Sequence, residues 1–148
     1  MKKEMKVLIS NVGFGKASPN SLKKLKNRFV VTENNTGIRF SEQEFLNVSS
    51  KYDIIIAGTE KISKKFLLSD SKLKMIARVG VGTDNIDLTI AKDQRVLVTN
   101  TPHAPATAVP EFTIGLMISL VRGIGISNNN MREAIWEKTM GQSLNSLK

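Results

Sequence analysis

Residues 53–59, Asp-Ile-Ile-Ile-Ala-Gly-Thr, form an apolar run with no polar alternation. A strand that alternates buries one face, whereas a continuous apolar strand is buried on both. A chain containing such a strand must cover a sheet from two sides. The surrounding sequence supplies the means. Lys6–Ser10, Phe29–Thr32, Leu73–Val79 and Arg95–Thr99 read as four further short strands, and helix signals fall between them. After a Gly-, Ser- and Asn-rich loop over 11–20, Pro19 opens a stretch with Leu22, Leu25 and Phe29 on one face. Ser41 with Glu44 three residues later has the form of a capping box ahead of Phe45, Leu46 and Val48. Ser63 caps a short helix carrying Phe66, Leu67 and Leu68, and Asp87 caps another that reaches Asp93. Five β/α repeats with short connections predict an α/β fold with a doubly wound parallel sheet of about five strands. Such sheets bind ligands outside the carboxyl ends of their strands, which singles out the loops after Ser10, Gly58, Val79 and Thr99.

The pattern changes after Asn100. Pro102, Pro105 and Pro110 exclude a helix interior or a central strand up to that point. Pro110-Glu111 then starts a helix with Phe112, Ile114, Leu116, Met117, Ile118, Leu120 and Val121, apolar nearly all round and expected to be buried on most sides. Arg122-Gly-Ile-Gly125 is expected to end it, and a second helix around 127–139 to carry Trp136. Trp136, Met117 and Met140 read as core or interface residues. The tail is too short to bury that apolar helix unaided, so more chain or a partner subunit is expected to cover it.

Composition narrows the function classes. The chain has 148 residues, 41% of them hydrophobic and 24% charged, which is ordinary for a globular protein. It has no cysteine, which excludes disulfides, thiolate nucleophiles and cysteine metal sites. The net charge of +9 raises nucleic-acid binding, but the lysines are scattered without aromatic interleaving, zinc-finger spacing or a helix-turn-helix signal. A solvated basic surface that attracts an anionic, carboxylate-bearing substrate is preferred, with no nucleic-acid partner. No apolar run approaches the roughly 20 residues that span a bilayer, and the run behind the basic start, Val7–Ile9, is too short for a signal peptide. No membrane partner, no metal and a cytoplasmic setting are the expectation.

Ala77-Arg-Val-Gly-Val-Gly-Thr-Asp-Asn-Ile-Asp87 carries the chemistry. It leaves a predicted strand and enters a predicted helix. Gly80 and Gly82 let the backbone turn sharply and approach a ligand, successive N–H groups in such a turn can cradle an anion, and Arg78 adds a fixed positive charge. A plain glycine turn accounts for the same residues equally well. The segment is not the dinucleotide fingerprint, whose third glycine is replaced by Asn85.

Arg78–Asp87, Val98-Thr-Asn-Thr-Pro102 and Ala108-Val-Pro-Glu-Phe-Thr-Ile-Gly-Leu-Met117, in that order and spacing, resemble the D-2-hydroxyacid dehydrogenase family, closest to its phosphoglycerate-dehydrogenase-like branch. Ala57-Gly-Thr-Glu-Lys-Ile-Ser63 and Leu73-Lys-Met-Ile-Ala77 fit the same pattern. The resemblance implies a flavodoxin-like substrate domain over 1–100, then hinge and dimerisation helices over 101–148 that begin a truncated Rossmann-type NAD-binding domain. It implies hydride exchange between NAD and the carbonyl carbon of a small 2-oxo acid, in a cleft between the domains. By position, backbone N–H groups around Val79, Gly80, Val81 and Gly82 would hold the substrate carboxylate, with Arg78 in support or on a distal anionic group. Asn100 would line the cleft, Val81 and Val109 would touch the cofactor, and helix 110–122 would form a homodimer.

Two departures matter. Ala57 stands where some phosphoglycerate dehydrogenases carry an arginine, and an alanine cannot hold a phosphate, which speaks against 3-phosphoglycerate. Pro110 replaces the usual alanine, a change a first helical turn tolerates. His103, the one histidine, matches none of the catalytic arginine, glutamate and histidine that the family carries downstream, and it is read as an exposed loop residue. Those three groups and the glycine-rich cofactor loop are expected beyond Lys148, so no catalytic residue is assigned and the chain is expected to be inactive alone. The same fold has been reused in cofactor-sensing corepressors, which leaves a non-catalytic cofactor- or anion-binding regulatory module as the alternative.

Overall fold

Five short strands realise the apolar runs: β1 (Lys6–Ile9), β2 (Val30–Glu33), β3 (Ile54–Ala57), β4 (Met75–Arg78) and β5 (Leu97–Thr99). Helices α1 (Pro19–Lys26), α2 (Glu42–Ser49), α3 (Lys64–Leu67) and α4 (Leu88–Asp93) connect them in turn. The computed structural model describes residues 5–16, 19–69 and 72–146. Residues 17 and 18 of the expected loop, and the basic start over 1–4, lie outside that description.

All strands are parallel, in the order β2-β1-β3-β4-β5. This is the flavodoxin-like order, reversing between β1 and β3. The register sets Val7 beside both Val31 and Ile54, and Ala57 beside Arg78.

Consecutive residues of β3 serve opposite faces, as the unbroken apolar run requires. Ile55 and Ala57 pack with Leu8, Ile76 and the helical residues Phe45, Phe66, Leu67 and Ala91. Phe45 and Phe66 meet edge to face with ring centroids 5.3 Å apart. Ile56 packs on the other face with Val7, Ile9, Leu22, Leu25 and Phe29. Phe29 does so from beyond the end of α1 rather than from a helical face.

The caps behave as local chemistry dictates. Ser41 and Glu44 form the reciprocal capping box at α2, and the Asp87 carboxylate accepts from the Ile90 N–H at 3.0 Å. Ser63 departs from expectation: it sits at the N-cap of α3 without a side-chain bond, its Oγ buried and unpartnered. Leu68 falls past the last turn of α3 and is exposed. Arg95, expected in β5, is instead left-handed with φ 57° and closes α4.

Residues 105–148 form a second compact unit. It holds α5 (Ala108–Val121), α6 (Ile124–Arg132) and a short 3-10 turn over Leu144–Ser146. Helix α5 starts two residues before Pro110, whose missing N–H falls in the first turn where no intrahelical acceptor exists. Gly123, with φ 61°, ends α5, and α6 leaves at a bend of 66°. Gly125 therefore lies inside α6 and does not stop α5. Trp136 lies beyond α6, not on it, and is 90% exposed. Met117 and Met140 are exposed as well, and no residue of α5 is buried. This unit lays only α6 and the segment around Gln142, whose N–H donates to Val121 O, against α5. That is too little surface to enclose a helix apolar on every side. No single helix among the described residues is long and apolar enough to cross a membrane, although α5 and α6 pass together by length and composition.

Candidate functional site

The turn after β4 follows from two constraints on Gly80. Its φ of 138° belongs to a region that side chains rarely adopt. A Cβ there would also overlap the Arg78 guanidinium, which folds back so that Nη1 donates to the Val79 carbonyl. Arg78 follows Ile76 by one strand period, on the same sheet face, and its Nε is buried without a partner.

The end of β5 clamps this turn. Gly80 N–H donates to Thr101 Oγ1 at 2.8 Å and Thr101 N–H returns to Gly80 O at 2.9 Å. Asn100 Nδ2 donates to Val81 O at 2.7 Å. Val79 N–H is taken by Ala57 O at 2.8 Å. Of the four amides singled out by the sequence, those of Val79 and Gly80 are therefore engaged. Those of Val81 and Gly82 donate to no group among the described residues. Val81 itself is 47% exposed.

The turn after β3 adjoins it. Glu60 is buried, its Oε2 accepting from Gly58 N–H at 2.7 Å. Asn85, beyond the β4 turn, donates to Glu60 O at 2.7 Å and so ties the two turns together. Ala57 is fully buried in the core cluster. A cavity of about 290 Å³ opens elsewhere on the edge, at the ends of β1 and β2, lined by Ile9, Asn11, Phe14, Lys16, Leu22 and Asn34.

The structure thus brings Arg78, Val79, Gly80, Val81, Gly82 and Asn100 together at one edge of the sheet. Val109 lies in the second unit, second residue of α5, and is exposed. His103 is exposed in a turn-rich segment. No group of three or more metal-ligating side chains occurs among the described residues. Sequence reasoning missed Thr101 and Glu60. Glu60 could have been found, because a glutamate two residues after a turn glycine can reach back to its amide. Thr101 could not, because its partner is 21 residues away.

A parallel sheet in this order, with a glycine turn clamped at its carboxyl edge, defines a doubly wound α/β domain. The sequence model of the D-isomer specific 2-hydroxyacid dehydrogenase catalytic domain matches residues 7–148, and the chain belongs to that family. It is 35% identical over 99 residues to the D-3-phosphoglycerate dehydrogenase of Synechocystis sp., covering 66% of this chain and 18% of that protein. It is 33% identical over 104 residues to the hydroxypyruvate reductase of Thermotoga maritima, covering 70% of this chain and 34% of the other. Among solved structures, a D-isomer specific 2-hydroxyacid dehydrogenase from Polaromonas sp. superposes with a TM-score of 0.80 at 20% identity, over 99% of this chain and 44% of that one. The NAD+-bound 3-phosphoglycerate dehydrogenase of Entamoeba histolytica gives 0.73 at 23% identity, over 96% and 44%. The last two establish the fold. The chain spans less than half the length of each of these four relatives.

Proposed function

We propose that this chain is the substrate-binding part of an NAD-dependent oxidoreductase that interconverts a D-2-hydroxy acid and its 2-oxo acid. The observation that carries this reading is the Gly80 turn: locked by Thr101 and Asn100, it leaves the successive amides of Val81 and Gly82 unengaged beside a guanidinium. Successive free amides at a turn suit a carboxylate. Arg78, its Nη1 already committed to Val79 O, contributes fixed positive charge rather than a mobile clamp.

Seating the carboxylate there fixes the carbonyl carbon one bond away, so the turn converts binding energy into orientation. NAD, when bound, supplies or accepts the hydride. Val81 and Val109 are exposed apolar side chains, each in its own unit, and suit contact with a cofactor ring. The chain holds no residue assigned to proton transfer, so binding without turnover is expected of it alone. The non-catalytic regulatory reading uses the same turn and differs in predicting no turnover by any longer form. A homodimer through α5 and a cytoplasmic setting complete the proposal, and cell fractionation tests the second.

Titration of the 15N-labelled chain with 2-oxopropanoate tests the reading. Amide shifts should concentrate on 78–82 and 100–101. Shifts confined elsewhere, or none at millimolar acid, would sink it.

A further inference from the structure

The glycine turn is gripped at both ends, by different means. Upstream, Thr101 holds Gly80 and Asn100 holds Val81. Downstream, the backbone of Asn85 is fixed by Ile62, whose N–H donates to Asn85 O at 2.8 Å, and by the parallel bridge between the buried Ile62 and Ile86. From there the Asn85 side chain turns to the neighbouring β3 turn. Its Nδ2 donates to Glu60 O at 2.7 Å and to Gly58 O at 3.4 Å.

The β3 turn is shaped to receive it. Glu60 folds back so that Oε2 accepts from Gly58 N–H at 2.7 Å. A Cβ on Gly58 would come within 2.9 Å of Asn11 Nδ2 and 3.3 Å of Glu60 Oε2, so the glycine lets the carboxyl close over the turn. The carbonyls of the same two residues then accept from Asn85.

Two features of this strut are costly for a mere connection between turns. Asn85 Oδ1 is buried without a partner among the described residues, and the Glu60 carboxyl is buried. Each costs stability that an apolar contact would not. Turning the Asn85 amide over gives no relief, because it sets Oδ1 against two carbonyl oxygens. The segment secured in this way carries the amides of Val81 and Gly82, which donate to no group among the described residues.

We propose that Asn85 and Glu60 are positioning residues of the substrate turn, holding its downstream end so that the Val81 and Gly82 amides are ordered before the carboxylate arrives. This rests on the carboxylate site proposed at those amides. Asn85 and Glu60 act through the backbone of the turn. Their contribution is preorganisation: a turn already ordered gives up less freedom at binding.

Asn85→Ala deletes both donors together with the unpaired oxygen, so the lost bonds are offset in part and the sheet should stay folded. Amide exchange at Ile55, Ile56 and Ile76 should match the parent chain. In the free 15N-labelled variant, Val81, Gly82 and Thr83 should gain fast mobility, read as lowered heteronuclear NOEs. 2-Oxopropanoate should bind roughly tenfold more weakly, the factor that ordering about one backbone residue at binding represents. Asn85→Asp, of the same shape but with acceptors facing two carbonyls, should bind at least as weakly. Glu60→Met should weaken binding too, and Glu60→Gln, which restores an oxygen to accept from Gly58 N–H, should recover most of it. Unchanged mobility at 81–83 with unchanged affinity in both Asn85 variants overturns the proposal. So does faster exchange at Ile55, Ile56 and Ile76, which would make the strut an element of the fold alone. Glu60→Gln as weak as Glu60→Met overturns the role of the Glu60 bond. Absence of shifts at Val81 and Gly82 in the parent chain overturns the carboxylate site instead, because mobility in the free chain reads the strut without the acid.

Discussion

Glu44 shows how far a single residue can be read from its neighbours. Its carboxylate accepts from Ser41 Oγ at 2.7 Å and from Ser41 N–H at 2.9 Å. The hydroxyl first, and the backbone N–H second, hold its pKa below the usual 4.5. A lowered folded pKa means the cap contributes fully above 4.5 and is lost as pH falls through the lower folded value. The Glu44 carboxyl carbon, followed by NMR, should titrate below 4.5, and Ser41→Ala should return the midpoint towards it. A midpoint at or above 4.5 in the parent chain would show that the cap does not form in solution. This pair was legible because donor and acceptor lie three residues apart, within reach of one helical turn. The Gly80 turn was half legible. Its glycine announces the backbone conformation, but the clamp by Thr101, which takes Gly80's own amide and leaves Val81's free, depends on which strands become neighbours.

At the scale of elements, helix ends separated what could be read from what could not. Gly123 closes α5 in the left-handed conformation, as a glycine after an apolar run suggests. The ends of α4 and α6 use the same geometry without glycine. Val96 N–H donates to Ala91 O and Arg95 N–H to Lys92 O, with Arg95 at φ 57°. Ile135 N–H donates to Asn130 O and Ala134 N–H to Met131 O, with Ala134 at φ 57°. Both are Schellman closures built on residues with a Cβ, and neither residue signals a stop. For this reason β5 begins two residues later than its apolar run, and α6 stops before Trp136. A non-glycine residue held left-handed costs about 1 kcal/mol or more. Arg95→Gly removes that strain at an exposed site. It should stabilise the sheet unit by roughly 1 kcal/mol, less the added freedom of the unfolded chain, which corresponds to a rise in Tm of a few degrees. A fall in Tm would mean that the Arg95 side chain holds the α4–β5 connection through contacts that outweigh its backbone strain.

For the whole molecule, the two units make opposite demands. Among the described residues, the first unit contains every strand pairing, both core clusters and both partners of the Gly80 clamp. Nothing in that inventory requires residues 105–148. The second unit exposes Phe112, Leu116 and Leu120 along α5, a helix with no polar face to offer water. The sequence already implied that this helix seeks cover its own segment is too short to provide, and no residue of α5 is buried. The parallel, doubly wound sheet was legible from periodicity, whereas its order came only through the family resemblance, since period and length are silent on which strand lies at an edge. A fragment ending at Ala104 should therefore fold cooperatively and sediment as a monomer, with slow amide exchange at Ile55, Ile56 and Ile76 as in the full chain. The full chain should associate with increasing concentration, and Phe112→Asp with Leu116→Asp should return it to a monomer without changing exchange in the sheet. Equal association of fragment and full chain would move the interface off α5 and onto the sheet unit. An unfolded fragment would show that the sheet depends on residues beyond Ala104.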